Sequence, residues 1–149
     1  MSRKLIVKNK KALFEYEILE TLEAGLVLHG TEIKSIREGR VNLKESYARI
    51  QNGEVWLEGC HISPYSHGNI HNHDPLRPRK LLLHKREIHQ LTGKVEQKGL
   101  TLIPLALYLS KGKAKLDLAV GRGKKLHDKR ETARRKTVER EIEAELKRR

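Results

Sequence analysis

Past Gly121 the sequence stops supplying residues that can build a core. From 122 to 149 there are twelve Lys or Arg and six Asp or Glu, and the apolar residues reduce to Leu126, Val138, Ile142, Leu146 and a few alanines. Such a segment buries too little surface to offset the entropy of ordering its backbone. Any packed domain must therefore be complete within residues 1–121, and a chain of 149 residues is of ordinary length for one domain.

The same segment concentrates the charge. The chain carries a net charge of +13, and VGRGKKLHDKRETARRK (120–136) holds Arg122, Lys124, Lys125, Lys129, Arg130, Arg134, Arg135 and Lys136 against Asp128 and Glu131. An excess of this size repels itself in a compact state unless a polyanion answers it, which narrows the partner to nucleic acid or an anionic membrane. No apolar run approaches the roughly 20 residues that span a bilayer, and the opening MSRKLIVKNKK lacks the apolar region of a secretory signal, so nucleic acid and a cytoplasmic location are expected. Cys60 is the single cysteine, which excludes an internal disulfide and a cysteine cluster for zinc; it reads as a small buried hydrophobe.

Before Gly121 the pattern is that of short strands. SYARIQNGEVWLEG (46–59) alternates on both sides of Asn52-Gly53, a pair suited to the positive φ angles of a two-residue turn, and predicts a β-hairpin. LTLIPLALYL (100–109) and AKLDLAV (114–120) flank Ser110-Lys111-Gly112-Lys113 and predict a second one. Phe14, Tyr16 and Ile18 alternate with glutamates in ALFEYEIL (12–19), a half-buried strand, and AGLVLHG (24–30) reads as another. Glu20 and Glu23 fall near the turn expected between them. Thr31 as N-cap and Gly39 as stop predict a short helix over 31–39, and a second helix is expected over about 84–98. Residues 61–79, with three of the four prolines, read as a long loop.

These elements, joined mostly by hairpin-length turns, predict a mainly β domain: a small antiparallel barrel of about six strands with two or three short helices over 12–121. Residues 1–11 read as a flexible basic arm. Residues 122–149 read as a tail disordered when free and able to become helical against a partner, with Val138, Ile142 and Leu146 on one face and Glu131/Arg135 and Glu143/Lys147 as favourable i,i+4 pairs.

Candidate chemistry is sparse. His67, His71, His73 and Asp74 in HGNIHNHD invite a metal, and with it a nuclease, but their spacing matches no standard zinc pattern and Gly68 and the nearby prolines spoil a helical arrangement, so no metal and no cofactor are expected. Cys60 and His61 are neighbours on an extended segment and point apart, which removes a thiol with its base. There is no phosphate-binding loop and no serine nucleophile motif, and the chain is expected not to be an enzyme. The basic segment is different. Glycines 121 and 123 allow close backbone approach to phosphate, the cations around them supply charge, and His127 offers a ring that can stack on a base.

AGLVLHGTEIKSIREGRVNLKESYARIQNGEVWL, DPLRPRKLLLHKREI and VGRGKKLHDKRE, in that order, closely resemble the small protein B (SmpB) family, the SsrA-binding proteins of bacterial ribosome rescue. The likeness runs from about Ala12 to Glu131; the last eighteen residues match only in character. The resemblance implies an OB-like barrel that binds the tRNA-like domain of tmRNA, promotes its charging with alanine and its delivery with elongation factor Tu, and sets it in the A site of a stalled ribosome. It implies that the tail enters the empty mRNA channel of the small subunit, beside the decoding centre, as a helix. Carried over by position, tmRNA contact falls on Glu23 and Leu82, with Lys34, Arg79 and Lys80 as phosphate partners. Ribosome contact falls on Arg122, Lys124, Lys125, His127, Asp128, Lys129 and Arg130, His127 stacking on a ribosomal base.

Overall fold

The computed structural model describes residues 3–66, 72–97, 99–124 and 126–148. In chain order the elements are β1 (Lys4–Lys8), α1 (Lys10–Glu15), β2 (Tyr16–Leu26), α2 (Gly30–Arg37), β3 (Val41–Asn42), β4 (Tyr47–Gln51), β5 (Glu54–Glu58), β6 (His61–Ile62), β7 (Arg79–Leu82), α3 (Lys85–Val95), β8 (Leu100–Ser110), β9 (Lys113–Gly123) and α4 (Leu126–Arg148). Six strands close on themselves in the order β8-β4-β5-β7-β2-β9, with β9 returning to β8, and every pairing is antiparallel. The predicted OB-like, mainly β barrel is therefore present. β3 and β6 form a separate two-stranded sheet.

Both hairpins fold as expected. Asn52 and Gly53 have φ of 52° and 74°, and Lys111 and Gly112 have 52° and 75°, the left-handed pair that matches the twist of the flanking strands. Closure depends on the long strands: β9 pairs along its whole length with β8 on one side and β2 on the other. Register shifts between Ile18 and Glu20 and between Pro104 and Ala106 curve those ladders, as an extra residue on one strand does. Inward-facing Leu57, Leu81, Leu102, Leu107, Leu116 and Leu118 fill the centre, and Ile36 of α2 and Leu91 of α3 cover it from outside the strands.

Several expectations are corrected. Residues 4–8 are not a flexible arm: Lys4–Lys8 pairs with β8 at Ala106–Leu109, on the edge whose other end, at Leu102, takes β4. Asn9 fills the junction between the two. Its amide donates to Leu105 O at 2.7 Å, its Nδ2 to Pro104 O at 2.9 Å, and its Oδ1 accepts from Ala12 N at 3.2 Å and so caps α1. That cap makes 10–15 a helix where alternation predicts strand. There is also no turn near Glu20 and Glu23, because β2 runs unbroken for 11 residues. The α2 helix starts one residue before Thr31, with His29 as N-cap and its amide donating to Glu32 Oε1 at 2.7 Å. The 61–79 loop contains β6 and the first residue of β7.

The tail is drawn in the helical form expected of it against a partner. Leu126–Arg148 is one helix of 23 residues that touches the barrel at α1, with the Lys136 ammonium 5.9 Å from the Phe14 ring centroid, and its Ala, Glu, Arg and Lys content, with the i,i+4 pairs, gives it good intrinsic propensity. The expectation that it buries little holds: residues 133–144 are all exposed, Val138 and Ile142 among them. No helix among the described residues is long and apolar enough to cross a membrane.

Candidate RNA interface

Glu23 and Leu82 come from segments nearly 60 positions apart, and the β2–β7 ladder brings them together. Gly25 is the register partner of Leu82, and Glu23 lies on the same face of β2 two residues earlier. They line one open cleft of about 490 Å³ with Gly25, Leu83, His84, Glu87 and Lys115. Leu82 is 54% exposed, an apolar side chain standing free on a charged surface. A Cβ at Gly25 would sit 3.3 Å from the Leu82 Cβ, so glycine there leaves Leu82 its seat between this cleft and a second of about 380 Å³ lined partly by Leu28, His29, Ile33 and Lys113. An exposed apolar wedge with hydrogen-bonding groups on either side suits an unstacked base better than a regular helix, whose base edges are hidden.

Of the expected phosphate partners, two are on the surface. Lys34 is exposed, with its ammonium 5.4 Å from the Tyr65 ring centroid. Lys80 is half-buried and paired with Glu54 at 2.5 Å. Arg79 is a correction. It is 0% exposed, with Nε donating to Glu32 Oε2 at 2.6 Å and Nη1 to the Cys60 carbonyl at 2.5 Å, and cannot meet a phosphate. Glu32, equally buried, also accepts from Arg77 Nη2 at 2.5 Å. Burial works to raise the Glu32 carboxyl, but the hydrogen bonds from Arg77, the His29 amide and Arg79 outweigh it and hold the group below its ordinary value. Arg79 thus anchors the end of the long loop to α2.

Among the described residues, which include His73 and Asp74 of the histidine loop, no cluster of side chains is arranged to hold a metal ion. His73 is buried, its Nε2 donating to the Ile62 carbonyl at 2.9 Å and its Nδ1 meeting the Thr31 hydroxyl at 2.8 Å, so both ring nitrogens are engaged. Asp74 Oδ1 accepts from the Leu76 amide at 2.9 Å. His67 and His71 lie outside the described residues. Cys60 is buried as expected, and that burial pushes its thiol up to about 11, which removes the thiolate a nucleophile needs.

The cationic segment begins at the other end of the same ladder. Tyr16, Glu17 and Ile18 pair with Gly123, Arg122 and Gly121, whereas Glu23 pairs with Asp117; seven residues of extended chain, roughly 23 Å, separate the two. Gly121 is needed there for space, since a Cβ would lie 2.9 Å from Ile103 Cδ1 and 3.2 Å from Tyr16 Cβ. The Lys124 amide donates to Glu15 O at 2.8 Å and its Nζ to Leu13 O at 3.4 Å, which ties the root of the tail to α1. Arg122 and Arg130 are exposed. Lys125 and the side chains of His127, Asp128 and Lys129 lie outside the described residues. Sequence reasoning missed Gly25, Lys115 and Tyr108, whose hydroxyl donates to Glu23 Oε2 at 2.6 Å; only the alternation of β9 and β8 could have pointed to the last two.

Fold and surface together define a class: a small OB-like antiparallel barrel with an apolar-wedged cleft on one side and a basic helical appendage rooted on the other. A family model described as SmpB protein matches residues 6–148. The chain belongs to the SmpB family. It is 60% identical to the SsrA-binding protein of Syntrophobacter fumaroxidans over 146 residues, covering 98% of this chain and 91% of the relative. It is 59% identical to that of Thermosynechococcus vestitus over 149 residues, covering 99% and 98%. A solved chain described under "tmRNA-SmpB: a journey to the center of the bacterial ribosome" superposes with a TM-score of 0.70 at 52% identity, covering 87% of this chain and 94% of that one.

Proposed function

We infer that the chain binds the tRNA-like domain of tmRNA and carries it to the A site of stalled ribosomes for trans-translation. The observation that carries this reading is the joining of Glu23 and Leu82 in one cleft of a barrel that matches SmpB chains along nearly its whole length. Lys34 and Lys80 flank this RNA surface as phosphate partners, while Arg79 contributes from inside by fixing the loop. The tail is the ribosomal part: Arg122, Lys124, Lys125, Lys129 and Arg130 meet ribosomal RNA phosphates along the vacant mRNA channel, and His127 with Asp128 sits at the decoding centre. Alanyl-tmRNA with elongation factor Tu is the form delivered. The chain acts by binding and not as an enzyme, and it works in the bacterial cytoplasm, where ribosomes stall.

Two regions with different partners suit the physics. A barrel held by its own core keeps one fixed shape for a folded RNA, and a cationic helix follows a longer groove through phosphate contacts that weaken steeply with salt. The test is capture of the chain from a bacterial lysate with sequencing of the bound RNA. Strong enrichment of tmRNA is expected, and recovery of RNA in proportion to its abundance would overturn the reading.

A further inference from the structure

Tyr108 is covered where its position says it should be open. It pairs with Lys115 on β9 and Leu5 on β1, on the outer face of the barrel, since the inward residues of β9 are Leu116 and Leu118. An outward ring on a barrel strand ordinarily stays half in water, but this one is 2% exposed. The Arg3 guanidinium lies 3.5 Å from its centroid and is held there by Asp117 at 3.4 Å. The hydroxyl donates to Glu23 Oε2 at 2.6 Å, while Oε1 faces Lys115 at 3.9 Å, beyond hydrogen-bond reach, on the open side of the cleft.

A glutamate within an RNA surface needs a reason, because its charge repels phosphate. An ionised carboxylate can only accept hydrogen bonds, so its use there is to meet a donor: a base amino or imino group, or a ribose 2′-hydroxyl. We propose that Tyr108 is a positioning residue for Glu23, holding Oε2 so that Oε1 is presented to such a donor of the bound RNA, with Arg3 closing over the ring. This rests on the cleft being the RNA surface. Without the hydroxyl, the side chain is free to swing toward Lys115 or into solvent, and ordering it again on binding costs affinity. Burial, and then the Glu23 carboxylate it donates to, push the phenol above its ordinary value, so it remains a donor at neutral pH.

The test uses the full chain, transcribed tmRNA and two readouts. Tyr108→Phe is expected to weaken binding roughly tenfold, the scale of one hydrogen bond to a charged group, and to have no further effect in a Glu23→Ala background. In the free protein the Glu23 ¹³Cδ resonance should move on Tyr108→Phe. Equal losses in both backgrounds, or a resonance that stays in place, would show that Tyr108 acts only through the fold and overturn the positioning role. If Glu23→Ala binds as tightly as the parent while the resonance still moves, the hydrogen bond is real but the cleft is not the RNA surface, and the proposal falls with that reading.

Discussion

The barrel and the tail helix are made from different kinds of residue, the one rich in apolar side chains and the other in charge, and to opposite ends. On β9 every second residue faces inward, from Ala114 to Val120, and the strand is paired on both edges, so its conformation is dictated by neighbours far away in sequence. On α4 residues 133–144 are exposed all round, and what shapes it is local: backbone hydrogen bonds and side chains one turn apart. One region is shaped by its own core, whereas the other keeps its side chains in solvent. The two kinds of structure meet at Lys124.

The largest expected effect comes from ending the chain after Lys124. Tagging of nascent chains on stalled ribosomes should disappear, while tmRNA binding and the unfolding midpoint of the barrel stay close to those of the full chain. A lowered midpoint would mean that α4 props the barrel and would break the comparison. Next in size is Glu32→Ala. Because it leaves Arg79 buried and unpaired, it should cost about 3–5 kcal/mol in denaturant unfolding, whereas Ile142→Ser on α4 should leave that transition in place. The smallest effect is a pH dependence confined to the barrel. The folded Glu32 carboxyl lies below its ordinary 4.5, so its contribution is full above that value and is lost as pH falls through the lowered one, at about 1.4 kcal/mol per unit of lowering. Glu32→Gln should flatten that acid limb of the denaturant midpoint, and an unchanged limb would assign it to other carboxylates.

Where structure is set by adjacent residues, the sequence could be read. Asn52-Gly53 and Lys111-Gly112 announce their hairpins, and the loss of apolar residues after Gly121 marks where the core ends. Where it is set by partners far along the chain, it could not. Lys4–Lys8 looks like a polar arm until β8, about 100 residues on, is beside it, and Arg79 looks like a free cation until Glu32, 47 positions earlier, is found against it. The alternation of Phe14, Tyr16 and Ile18 also misled, because the Asn9 cap overrides it at Phe14 but leaves it intact from Tyr16. In the cleft, Glu23 and Leu82 came only from likeness to a family. Their neighbours Gly25, Lys115 and Tyr108 became visible once the strand registers were known.

The helix that leaves the barrel at Lys124 also behaves as a screw thread. Lys124, two residues before its first turn, is tied to Glu15 and Leu13, and the helix's 23 residues advance about 34 Å at 1.5 Å each while turning about 100° per residue. Adding a single alanine near the root would barely lengthen it but would swing every cation beyond through more than a quarter turn. A seven-residue insertion would restore the facing and move the tip about 10 Å farther out. Phase and length of this appendage can therefore be varied separately, with the barrel left untouched.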